Sequence, residues 1–177
     1  MDPEVPCGVT LAFTERTGGF SEGEFASLNL GSRCGDNLQH VQQNKRLVLE
    51  ALGAGEHFSR LLIPHQVHGS KVVCLTSHTP EAFEQAQAEA EAGADGIVCT
   101  VKNTPVLLTF ADCVPVILVA PGGFAVAHSG WKGTIARISE RATEALCQAT
   151  GAKPSEVKAY IGPHTGSADY AVSPELI

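Results

Sequence analysis

Four histidines and one cysteine hold most of the chemistry this sequence can offer. His65, His68, His128 and His164 stand at the ends of short apolar runs beside Gly or Pro, where side chains converge on sites. Cys113 follows Asp112 inside the most apolar stretch, Pro105–Gly133, which reads PVLLTFADCVPVILVAPGGFAVAHSGWKG. Imidazole and thiolate are donors that zinc favours, so Cys113 with two of these histidines suits a metal site. Three protein ligands would leave one position open for water or substrate; four would close it. The competing chemistry needs no metal: Cys113 is a nucleophile and His128 or His68 is its base. Asp112, among apolar neighbours, requires a partner, because an isolated buried carboxylate costs several kcal/mol. His40, His57 and His78 lie in polar surroundings and are expected at the surface.

Strands and turns must bring these groups together. Val106–Phe110 and Val114–Ala120 have strand length and composition, and Pro121-Gly122-Gly123 makes a turn into a returning run, 124–128. That hairpin sets Cys113 and His128 at its open end, within reach of each other if the chain bends at Ser129-Gly130. A membrane span over Pro105–Ala127 is excluded by Pro105, Pro115, Pro121, the Gly pair and Asp112. Further strands are expected at Gly8–Arg16, Arg60–Ile63, Lys71–Thr76, Asp95–Thr100 and Val157–Ile161. His65 and His68 fall in PHQVHG, a passage from strand to loop. Residues 21–37 are polar and Gly-rich and form a long loop.

Three helices complete the pattern. The first runs from Leu38 to Leu52 on an apolar face of Leu38, Val41, Val48 and Leu52, which Asn44 and Lys45 interrupt; Gly53 ends it. The second, opened by Thr79-Pro80 and closed at Gly93, has a weak apolar face and lies on the surface. The longest spans Thr134–Thr150 on a stripe of Ile135, Ile138, Ala142, Ala145 and Leu146. No repeat or linker divides the 177 residues, so the expectation is a single α+β domain, a mixed sheet with helices packed outside.

Net charge is −7, with 12 basic residues and no basic cluster, so binding through nucleic-acid phosphates is excluded. The acidic start MDPEVPCGVT lacks an apolar leader, and the six cysteines show no CxxC spacing. Reduced thiols and a cytoplasmic location are expected. Cys74, Cys99 and Cys147 are expected to be small core residues.

QVHG at Gln66–Gly69, TFADCVPV at Thr109–Val116 and AHSGWKG at Ala127–Gly133 together resemble the multicopper polyphenol oxidoreductase, or laccase-domain, family. RTGGFS, ASLNLG, GDN, ADGIV and IGP follow the same pattern in the same order, over nearly the whole chain. The resemblance implies an α/β/β/α-like sandwich and zinc-dependent purine nucleoside phosphorylase activity with adenosine deaminase activity. It makes His68, Cys113 and His128 the zinc ligands and Asp112 a neighbouring carboxylate that bonds a ligand imidazole or substrate. Lys132, with Arg16 as the weaker candidate, would meet phosphate, and Trp131 would either stack on the purine or pack in the core. Asn44 is counted with them as a substrate contact. Two departures stand out: family members carry cysteines after IGP, where this chain has HTGSADYAV, and they continue several dozen residues past a motif like this one. A truncated fragment is therefore one expectation.

Three other functions fit the same residues. A copper-dependent polyphenol oxidase would share the ligands, although one His2Cys set is too small for a multicopper cluster. A Cys–His amidase editing a cell-wall precursor peptide would use the metal-free chemistry. A zinc-binding module without activity would follow from truncation.

Overall fold

The structure is a computed structural model and describes residues 8–171; Cys7 and the final residues 172–177 lie outside them. Its centre is a five-stranded mixed sheet in the order β1-β2-β4-β3-β5. The strands are β1 (Val72–Leu75), β2 (Gly96–Cys99), β3 (Val114–Ala120), β4 (Gly123–Ser129) and β5 (Lys158–Ile161). Only β1 and β2 run parallel, joined through helix α2 (Pro80–Glu91). The β3–β4 hairpin forms about Pro121-Gly122, with Gly123 already paired to Ala120 and Pro115 opposite His128. Every residue of β2 is buried, as is nearly all of β3, which explains why these strands read as unbroken apolar runs.

The two sheet faces are covered separately. Val98, Val116, Leu118, Ala125 and Ala127 pack against Ile138, Ala142 and Leu146 of helix α4 (Ile138–Thr150). On the other face Val73, Leu75, Ile97, Ile117 and Val119 pack against Ala86 and Ala90 of α2, and against Leu62, Val101 and Leu108. Thr79 caps α2 by accepting the Ala82 N–H, with Pro80 at the first turn. The mixed α+β class stands.

Three expected strands do not form. Residues 8–16 have no ladder partner among the described residues, although Val9 and Leu11 lie against the core. Residues 60–63 and 106–110 meet only at one parallel bridge, Leu62 with Val106. There the Gln66 side chain replaces a neighbouring strand: Nε2 donates to Thr109 O at 2.7 Å, and Oε1 accepts from Thr109 N at 2.8 Å. The longest expected helix is two elements, α3 (Trp131–Ile135) and α4, separated by Arg137 at φ 63°. α3 leaves the apolar stripe, and Ile135 is 74% exposed. Cys74 is also exposed, on the edge strand β1, whereas Cys99 is buried.

Helix α1 (Leu38–Ala51) forms as expected but turns a different face inward. Its buried residues are Val41, Asn44, Lys45 and Leu49, while Leu38 is exposed. Lys45 bonds Ser32 Oγ, and burial lowers its pKa. Asn44 is fully buried and spends its amide on the long loop. It accepts from Phe20 N and donates to Ser21 Oγ, Ser27 O and Asn29 O at 2.7–3.2 Å. The expectation that Asn44 contacts substrate is corrected: its hydrogen-bonding capacity is taken up by protein.

Replacing Asn44 by Ala should destabilise the fold by at least about 2 kcal/mol in urea denaturation, since each orphaned group costs ~1–3 kcal/mol. A loss confined to substrate KM, with stability unchanged, would restore the substrate-contact role.

Candidate metal centre

The topology puts one end of the sheet to use. The chain enters β1, β2 and β3 at that end and leaves β4 there, so the preceding loops and the segment after β4 meet. Cys113 precedes β3, His128 is the penultimate residue of β4, and His68 lies in the turn before β1. Their donor atoms all lie within 4.8 Å of one another, and the group could hold a metal ion. The two imidazoles meet edge to face, with ring centroids 4.8 Å apart, and the Phe110 ring stands 5.5 Å from that of His128. His128 is buried, Cys113 half-buried and His68 exposed, so the group opens toward solvent on the His68 side. His65 and His164 lie outside it. His65 pairs through its backbone with Ala90 and Ala94, and His164 Nδ1 lies 2.9 Å from Gly162 O.

Gly130 keeps the space between the donors clear. A Cβ there would lie 2.9 Å from His68 Cδ2 and 3.2 Å from Cys113 Sγ. Next to it, Gly133 lets α3 approach the His68 turn, since a Cβ would stand 2.8 Å from Gly69 O. Trp131 and Lys132 project from this short helix, both exposed, with Lys132 Nζ 5.4 Å from the Trp131 ring centre.

The carboxylate beside the donors is Asp95. Its Oδ1 lies 2.7 Å from His128 Nδ1 and accepts from His68 N at 3.0 Å. Its Oδ2 accepts from Gly69 N and Val67 N at 2.7 and 3.2 Å. Burial pushes the Asp95 carboxyl up, but the bonds from His128, Gly69 and Val67 outweigh it and hold the group below its ordinary value. The expectation that Asp112 bonds a ligand imidazole is corrected. Asp112 is exposed at the mouth of the hairpin and accepts from Thr165 Oγ1 at 2.9 Å. Thr165 N also donates to Asp112 O, so this pairing ties the segment after β5 to the Cys113 loop. Arg16 is exposed and gives Nε and Nη2 to Ala26 O, bracing the long loop.

A family model described as "Multi-copper polyphenol oxidoreductase laccase" matches residues 10–177. The chain belongs to that family. Within reach of this laccase-type family, a purine nucleoside phosphorylase from Deinococcus radiodurans is 36% identical over 171 residues, 95% of this chain and 61% of that protein. Purine nucleoside phosphorylase YfiH of Escherichia coli is 34% identical over 97% of this chain and 65% of its own. The crystal structure of YlmD from Geobacillus stearothermophilus matches with a TM-score of 0.78 at 32% identity, over 91% of this chain and 60% of that one. The chain thus spans a little under two thirds of the length of these relatives. No helix among the described residues is long and apolar enough to cross a membrane.

Two measurements probe the donor group. Gly130→Ala is allowed by its backbone, φ −71°, so only the added methyl matters; zinc retention in a chelator competition should weaken about tenfold, ~1.4 kcal/mol, with little change in unfolding midpoint. An unchanged affinity would show that the donors do not close on one ion. Burial, then Asp112 and Asp95, push the Cys113 thiol above its ordinary value. Binding must therefore expel that proton, and zinc affinity should rise about tenfold per pH unit from pH 7 to 9. A flat profile there would remove Cys113 from the shell.

Proposed function

We propose that this chain carries the zinc-dependent catalytic centre of a purine nucleoside phosphorylase, with His68, Cys113 and His128 as the zinc ligands. The observation that carries this reading is the convergence of one thiol and two imidazoles on a common point, joined to the names of the relatives. Two imidazoles and a thiolate suit zinc better than hard cations such as magnesium or calcium, and three protein ligands leave the fourth tetrahedral position open. When bound, the ion would supply positive charge to orient the phosphate or to stabilise the negative charge that develops on the departing base.

The protein's own groups do the rest. Trp131, 39% exposed beside the centre, offers a flat face for the purine. Lys132, alongside its ring, places a cation for phosphate, with Arg16 as a second candidate. Phosphate oxygen attacks C1′ of the ribose, and the C1′–N9 bond breaks with its electron pair going to the purine. The purine takes up a proton supplied by the monohydrogen or dihydrogen phosphate, directly or through water. Adenosine deamination at the same centre, with water replacing the C6 amine, is part of this reading. In this reading Asp112, exposed next to Cys113, meets substrate rather than a ligand. A cytoplasmic setting keeps Cys113 reduced.

The Cys–His amidase is disfavoured by the same electrostatics. A nucleophilic cysteine needs a lowered pKa, whereas burial and the Asp112 and Asp95 carboxylates raise that of Cys113. Among the described residues one donor group of this kind occurs, which does not suit a multicopper oxidase.

Elemental analysis of the purified protein, with chromatography of inosine incubated with phosphate, tests the proposal. We expect stoichiometric zinc and release of hypoxanthine, both lost in Cys113→Ala. Full zinc in that variant would refute the assignment. Amide cleavage that survives chelation would favour the amidase, and zinc without turnover a binding module only.

A further inference from the structure

Asp95 does more than accept a hydrogen bond from one imidazole. Its two oxygens receive four donors that come from two separate parts of the chain. Oδ1 is shared by His128 Nδ1 and the backbone N–H of His68. Oδ2 is shared by the N–H groups of Val67 and Gly69. The peptide of Asp95 joins in, since its carbonyl accepts from His128 N at 2.7 Å. The side chain is fully buried.

Each contact fixes something about a zinc ligand. An ionised carboxylate only accepts, so the bond at Oδ1 puts the imidazole proton of His128 on Nδ1 and leaves the Nε2 lone pair free. The three backbone bonds wrap residues 67–69 around the other side of the carboxylate. Within that wrap His68 takes φ 58°, a left-handed conformation that a non-glycine residue adopts only when its surroundings impose it. Without the carboxylate, three N–H groups that converge on one point would have nothing to bond.

We propose that Asp95 is the positioning residue of this centre: one carboxylate selects the ligand nitrogen of His128 and holds the strained turn that presents His68. Two of the three ligands are thereby set before any ion arrives. The proposal rests on the metal-centre reading above for its functional meaning, but the arrangement itself can be tested without metal.

No neutral group of the same shape can replace it. In Asp95→Asn, one orientation puts the amide NH2 against Gly69 N and Val67 N, donor against donor. The flipped orientation puts it against His128 Nδ1, which would move the imidazole proton to Nε2 and block the ligand lone pair. Either way one of the two histidines is lost from its place.

The test titrates metal-free wild type and Asp95→Asn with Co(II), following thiolate-to-cobalt charge transfer and d–d absorption. In parallel, 15N NMR reads the tautomer of His128 in the metal-free proteins. We expect wild-type His128 to carry its proton on Nδ1, and the variant to bind Co(II) roughly 10- to 100-fold more weakly with altered d–d bands. Equal affinity and an identical spectrum in the variant would overturn the proposal, as would a wild-type His128 protonated on Nε2. If wild type itself takes up no Co(II), the metal reading is what falls, and the tautomer alone decides whether Asp95 sets His128. If the variant does not fold, the wild-type 15N spectrum decides in the same way.

Discussion

A carboxylate sealed from water must be matched donor for donor, and Asp95 is. Fully buried at the entrance to β2, it gathers the end of β4 through His128 and the turn before β1 through residues 67–69. Those contacts close one end of the sheet. Gln66 adds a clamp one residue upstream by holding Thr109 from both sides of its amide, which keeps the 106–110 segment and Phe110 beside His128. The hairpin register then sets Cys113 at the same end. Remove the buried carboxylate and the elements remain, but His128 and the turn at 67–69 lose the side chain that joins them.

The chemistry follows from that closure. Three soft or borderline donors stand together around a space that Gly130 leaves unfilled. Half-buried near two carboxylates, the Cys113 thiol holds its proton more tightly than an ordinary cysteine. Such a thiol is a poor free nucleophile, yet it becomes a good ligand once a cation displaces the proton. The half-open placement, with His68 and the Trp131-Lys132 pair at the rim, gives a substrate access to one side of the centre. The chain belongs to the laccase-type family, and the relatives reported above are named purine nucleoside phosphorylases.

How far this was legible in the residues depends on where the determining partner lies. Cys113 and the four histidines His65, His68, His128 and His164 stood out because soft donors at the ends of apolar runs are conspicuous. The family resemblance singled out His68 and His128 among them, and the Pro-Gly-Gly turn marked the hairpin that joins Cys113 to His128. Asp95 did not, because in ADGIV it reads as the first residue of a strand, while its partners are backbone N–H groups some 27 residues earlier. Asp112 drew attention through adjacency to Cys113, but adjacent residues at the mouth of a hairpin can point apart, and its partner is Thr165. The α1 periodicity was visible, but a buried amide and lysine defeated the rule that polar residues face out; what Asn44 satisfies is a distant loop. The break at Arg137 left no Gly or Pro in the sequence to mark it, and the strand expected at 106–110 is served by a side chain instead of a ladder. Patterns set by local periodicity and turn chemistry were readable; those set by one polar group satisfying a remote backbone were not.

In the proposed centre one ion is held by one sulfur and two imidazole nitrogens. X-ray absorption at the zinc edge of the purified protein measures this shell directly. We expect a single sulfur at about 2.3 Å with nitrogen or oxygen donors at about 2.0–2.1 Å, two of them showing imidazole multiple scattering. A shell without sulfur, or one with two or more sulfurs, would contradict it.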